Sequence, residues 1–250
     1  MGERSSYAPG TFCWADLATS DADGATSFYA QLFGWETRAM PVGDGGSYVM
    51  CFLGGRDVAA LYASTEPGAP HWTSYVSVEE VDAVAGRVES LGGALLSEPF
   101  DVFDQGRMAV LRDPAGAVLA LWQPRGHAGA GLVNAPGALT WNDLVAPDPE
   151  PAVPFYSELL GWEIARLAPE YAAIANRGAK NGGVLTQPGG PSYWLTYFAS
   201  DDLDASLAKA AELGGGTLVG PLTVPSGARF AVARDPQGAV FGLLSGPLDP

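Results

Sequence analysis

Two short stretches carry a tryptophan and an acid two residues apart: Cys13-Trp14-Ala15-Asp16-Leu17 and Thr140-Trp141-Asn142-Asp143-Leu144. In an extended strand, side chains two apart share a face, so each stretch sets a carboxylate beside an indole. A carboxylate in apolar surroundings is costly unless partnered, and both stretches keep one. Burial raises a carboxyl pKa toward the range where it can give or take a proton near neutrality. An ionised carboxylate also accepts hydrogen bonds from hydroxyl or ammonium groups. Asp16 and Asp143 are therefore the candidate acid/base or hydrogen-bonding groups. The same residues have a structural reading as well, with the two indoles as core and the two carboxylates turned to backbone donors.

The elements that must position them also occur twice. Phe28-Tyr29-Ala30-Gln31-Leu32-Phe33-Gly34-Trp35-Glu36 returns as Phe155-Tyr156-Ser157-Glu158-Leu159-Leu160-Gly161-Trp162-Glu163 at the same distance from the opening strand. Arg112-Asp113-Pro114-Ala115-Gly116 returns as Arg234-Asp235-Pro236-Gln237-Gly238. A duplication of this extent predicts two domains, over 10–125 and 137–247, joined by a linker at 126–136 that is rich in Gly and Ala. Within each, the periodicity predicts strand, helix, three strands, used twice. A second helix is expected over Val81, Val84, Val88 and Leu91. Residues 1–9 read as a disordered lead, and Gly43–Gly46 and Gly182-Gly183 as hairpin turns.

Composition narrows the partners. A formal charge of −15 argues against nucleic acid, whose binding needs clustered Lys and Arg, and against an anionic membrane surface. An acidic surface steers cationic small molecules. No apolar run approaches the roughly 20 residues that span a bilayer, and no signal-peptide core opens the chain, so the expected compartment is the cytoplasm. Cys13 and Cys51 are too few for a disulfide scaffold or a cysteine zinc site. His71 and His127 are the only histidines, expected to be structural or solvent-facing.

The βαβββ unit used twice per domain, closed by Phe-Tyr-x-x-x-Phe/Leu-Gly-Trp and by Asp-Pro-x-Gly, resembles the vicinal oxygen chelate superfamily. That superfamily holds glyoxalase I, extradiol dioxygenases and bleomycin-resistance proteins, and the resemblance covers nearly the whole chain. It implies an α+β fold: two tandem glyoxalase-like domains, each of paired βαβββ modules forming a curved sheet cup. It further implies metal ligands on the first, fifth and eighth strands of each domain. Those positions fall at Trp14, Thr73 and Ala120, and at Trp141, Leu195 and Gly242, none a good divalent-metal ligand. No metal and no cofactor are therefore expected. If Trp14 occupies a ligand position, Phe12, Trp14, Asp16, Tyr75 and Trp122 line one cup, and Trp141, Asp143 and Tyr197 the other, with floor space over Ala120 and Gly242.

Flat aromatic walls with one carboxylate suit a planar small molecule. The expectation is thus a metal-free, bleomycin-resistance-like protein holding a small, largely aromatic compound such as an antibiotic or its biosynthetic intermediate. A second reading is a metal-independent enzyme or hydroxylation accessory protein with Asp16 or Asp143 as acid/base. A third is a metal-dependent lyase or dioxygenase. Two domains in one chain predict a monomer, a pseudo-dimer within itself, or a weak homodimer.

Overall fold

The structure, a computed structural model, describes residues 2–43, 46–65, 68–224 and 227–246. Its first repeat runs from a short β1 (Gly2–Glu3) through β2 (Phe12–Thr19), α1 (Ala22–Phe33), β3 (Glu36–Val42), β4 (Gly46–Leu53) and β5 (Arg56–Ala63). It continues with β6 (His71–Ser77), α2 (Val81–Ala85), a 3₁₀ turn at Glu89–Leu91, β7 (Ala94–Val102), β8 (Gly106–Arg112) and β9 (Val118–Pro124). After β10 (Leu132–Val133) the second repeat follows the same order: β11 (Leu139–Ala146), α3 (Ala152–Leu160), β12 (Glu163–Ala168), β13 (Tyr171–Asn176) and β14 (Ala179–Thr186). It closes with β15 (Tyr193–Ala199), α4 (Leu203–Glu212), β16 (Gly216–Thr223), β17 (Arg229–Arg234) and β18 (Val240–Ser245).

Each repeat makes one eight-stranded sheet, in the orders β3-β4-β5-β2-β6-β9-β8-β7 and β12-β13-β14-β11-β15-β18-β17-β16. Each cup is thus built from both halves of one repeat, and Trp14 shares its cup with Ala120. The cores are shared differently. Phe28, Tyr29 and Trp35 of the first repeat cluster with Phe198, Leu203 and Phe241 of the second. Phe155, Tyr156 and Trp162 of the second cluster with Val76, Leu111 and Leu119 of the first. The two cups therefore stand back to back, with the helices between them and an apolar core on either side of a pseudo-dyad. At that dyad Ser74 Oγ–H donates to Asn142 Oδ1 at 2.7 Å and lies 2.9 Å from Thr196 Oγ1.

The repeated signatures turn out to be the clasps across this interface. Asp113 Oδ2 accepts from Tyr156 Oη (2.9 Å), which in turn accepts from Trp194 Nε1 (2.9 Å). Asp235 Oδ2 accepts from Tyr29 Oη (3.1 Å), which accepts from Trp72 Nε1 (3.0 Å). The acid of each Asp-Pro-x-Gly turn thus holds the helix tyrosine of the other repeat.

Several expectations are corrected. The helix expected to reach Leu91 ends at Ala85, with Gly86 as its C-cap, because glycine is a poor helix interior residue. The stretch at 1–9 is not a free lead over its described residues: Gly2 and Glu3 pair with Val133 and Leu132, and Tyr7 Oη–H donates to Ala130 O at 2.6 Å. Gly182 and Gly183 lie inside β14, not in a turn. Asp44 and Gly45, central to the other expected Gly-rich turn, fall outside the described residues, while Gly46 opens β4.

Candidate functional site

In the first cup, β2 presents Trp14 and Asp16, both buried. Asp16 Oδ2 accepts from Tyr75 Oη of β6 at 2.7 Å and from Tyr48 Oη of β4 at 3.0 Å. Trp14 Nε1–H donates to Tyr48 Oη at 3.1 Å, completing a chain from indole to phenol to carboxylate. The other carboxylate oxygen, Oδ1, is buried and has no partner. Burial pushes the Asp16 pKa up to about 6, against the opposing pull of the Tyr75 and Tyr48 hydroxyls and of His71.

The second cup repeats the cluster with different wiring. Asp143 Oδ1 accepts from Trp141 Nε1 at 2.9 Å and from Tyr171 Oη of β13 at 3.1 Å. Tyr197 of β15 bonds the same carboxyl group, and burial raises the Asp143 pKa against the pull of Trp141, Tyr197 and Tyr171. On the parallel neighbour strand the residue in register beside Asp16 is Ala60 of β5, and beside Asp143 it is Gly183 of β14. A Cβ at Gly183 would lie 2.1 Å from Tyr171 Oη and 2.4 Å from Asp143 Oδ1, so only glycine admits that hydroxyl there.

Of the residues expected to line the cups, Trp14, Tyr75 and Trp122 join the first interior cluster, and Trp141 and Tyr197 the second. Phe12 does not. The β2–β6 register slips between Phe12 and Trp14, which pair with Val76 and Tyr75 respectively. Such a bulge puts an extra residue in one strand and reverses the facing of what precedes it. Phe12 accordingly packs between Trp162 and Trp194 in the inter-repeat core, at ring distances of 5.4 and 5.1 Å.

The floor space expected over Gly242 is also corrected: a Cβ there would fall 2.1 Å from the Tyr197 ring, so tyrosine fills it. The linker is more than a spacer. His127 packs edge-on to Trp14 at 4.6 Å and its Nε2 lies 2.9 Å from Asp57 Oδ2, while Trp122 Nε1–H donates to His127 O. This strap covers one end of the first cup, where Trp14 is 4% exposed; Trp141 is half-buried. His71 opens β6 and is exposed.

Tyr48 and Tyr171 were missed by sequence reasoning. They lie 32 and 28 residues after their aspartates, because the intervening hairpins differ in length. Counting along the duplication does not align them. Neither Asp16 nor Asp143 lines either of two hollows of about 290 and 230 Å³. The first borders the Asp235 turn, and the second lies between the repeats, touching Thr73 and Val118 of the first and Tyr193 and Trp194 of the second.

Residues 11–121 and 138–243 each match the Glyoxalase/Bleomycin resistance protein/Dioxygenase superfamily, and the chain belongs to that family. It is 44% identical over 257 residues to CFP32 of Mycobacterium tuberculosis, provisionally a glyoxylase by name, covering 98% of both chains. It is 33% identical to the anthracycline biosynthesis protein DnrV of Streptomyces peucetius, covering 95% of this chain and 94% of that one. Among solved structures it resembles the Mn(II)-bound glyoxalase from Novosphingobium aromaticivorans (18% identity, TM-score 0.68, 98% and 83% covered). The 2,3-dioxygenase LapB from Pseudomonas sp. KL28 is similar in the same way (14%, TM-score 0.70, 96% and 93% covered). These two share the fold.

The chain's own donors do not fit a divalent ion of that kind. Trp14, Thr73 and Ala120 stand in one cup and Trp141, Leu195 and Gly242 in the other. Among the described residues no three His, Cys, Asp or Glu side chains converge. The one carboxylate in each cluster is already engaged by tyrosine hydroxyls.

Proposed function

We propose that this chain is a metal-independent binding protein that holds a small, planar aromatic molecule in an aromatic-lined cup and serves antibiotic biosynthesis or self-protection as a monomer. The observation that carries the reading is the cluster of carboxylate, two tyrosines and tryptophan, built in both cups at the first-strand position. Indole and phenol faces stack on flat ligands at roughly 0.5–1.5 kcal/mol per ring beyond area burial. The likeness to an anthracycline biosynthesis protein supports a ligand of the polycyclic aromatic kind.

A second reading is a metal-independent enzyme or hydroxylation accessory protein using Asp16 or Asp143 as acid/base. The Asp16 pKa of about 6 favours it, since a carboxyl tuned toward neutrality suits proton transfer. Titration with a panel of hydroxylated polycyclic aromatics, followed by product analysis, separates the two. Saturable binding with the compound recovered unchanged supports the first reading. Turnover that is lost in Asp16→Asn or Asp143→Asn while binding persists supports the second. No binding by any member of the panel overturns both.

A further inference from the structure

The wiring of the first cup fixes the hydrogen-bond polarity of what it can hold. Both hydroxyl protons of Tyr48 and Tyr75 are spent on Asp16 Oδ2, and the Trp14 N–H is spent on Tyr48. The cluster's donors are therefore used up, and what it retains is acceptor capacity: the lone pairs of two phenol oxygens and the whole of Asp16 Oδ1. That oxygen is buried and unpartnered, in a side chain only 3% exposed. A buried acceptor without a donor carries the full desolvation penalty of an unmade hydrogen bond. The second cup differs at this point, because its carboxylate takes the indole N–H directly and no oxygen of Asp143 is left buried without a partner among the described residues.

We infer that Asp16 Oδ1 is the ligand anchor of the first cup, and that it selects compounds presenting a hydrogen-bond donor, a phenolic or enolic hydroxyl or an amine, over otherwise identical compounds that can only accept. The ring of such a ligand lies along the half-buried wall of Tyr48, Met50, Tyr62 and Met108, and its donor approaches beside Thr73, the residue in register with Asp16. This rests on the aromatic-cup reading given above and adds to it the cup, the atom and the donor requirement.

The probes are 2-naphthol and its methyl ether, which differ by one donor. Wild-type protein binds the naphthol at least about tenfold more tightly than the ether, the scale of one hydrogen bond to a charged group. Asp16→Asn keeps a carbonyl oxygen for Tyr48 and Tyr75 but replaces the free acceptor by an N–H₂ donor. In that variant the preference falls to parity or reverses in favour of the ether, a change that a merely structural role would not produce. Glu89→Gln, an exposed position outside both cups, leaves the preference as in wild type. Equal binding of both probes to wild-type protein, or a preference that follows Asp143 instead, overturns the inference while the aromatic-cup reading stands. Binding of neither probe, together with failure of the wider panel, overturns both.

Discussion

Asp16 sits at the meeting of two opposed effects. Burial disfavours its charge, and two tyrosine hydroxyls favour it, leaving its pKa near 6 against an ordinary 3.8. A folded-state pKa above the unfolded one means that the native protein binds the proton more tightly. The associated stability is full below the unfolded value and is lost as pH rises through about 6. Asp16→Asn removes this dependence: its unfolding free energy gains on wild type as pH rises from about 4 to 7, by an amount of order 2 kcal/mol. Denaturant melts of both proteins across that range measure it, and parallel curves would contradict it. The pairing of Trp14 with Asp16, and of Trp141 with Asp143, was legible in the sequence because residues two apart share a strand face. Their tyrosine partners were not, since Tyr48 and Tyr171 come from separate strands at unequal distances along the chain.

At the scale of elements, the Asp-Pro-x-Gly turns and the helix tyrosines act as clasps. Tyr29 links Trp72 to Asp235, and Tyr156 links Trp194 to Asp113, all buried. Replacing either tyrosine by phenylalanine strands an indole N–H and takes one donor from a buried carboxylate. Each of Tyr29→Phe and Tyr156→Phe should lose about 1–3 kcal/mol of stability, read from the denaturant midpoint at unchanged slope. A loss below about 0.5 kcal/mol, the range of a neutral surface change, would remove the clasps from the account. The order strand, helix, three strands, used twice in each repeat, followed from periodicity, and Asp21 caps α1 while Gly34 closes it in the left-handed region. What periodicity missed were local departures. The bulge ahead of Trp14 turned Phe12 to the other face, and Gly86 cut the second helix short. Both depend on backbone details that alternation alone does not carry.

The whole molecule is a pseudo-dimer in which each cup belongs to one repeat and each core to both. The duplication showed the two domains; the exchange of halves between cores was not legible, because the apolar face of a helix does not say which sheet it covers. This arrangement sorts the seven tryptophans. Trp35, Trp72, Trp162 and Trp194 belong to the inter-repeat cores, while Trp14, Trp122 and Trp141 belong to the cups or their walls. A ¹⁹F NMR titration of protein carrying 5-fluorotryptophan, with 2-naphthol as ligand and resonances assigned by single Trp→Phe variants, tests the central claim most directly. The account predicts saturable shifts at Trp14, Trp122 or Trp141, with Trp35 and Trp162 unmoved. Shifts confined to the four core indoles would place the ligand between the repeats and contradict the aromatic cup.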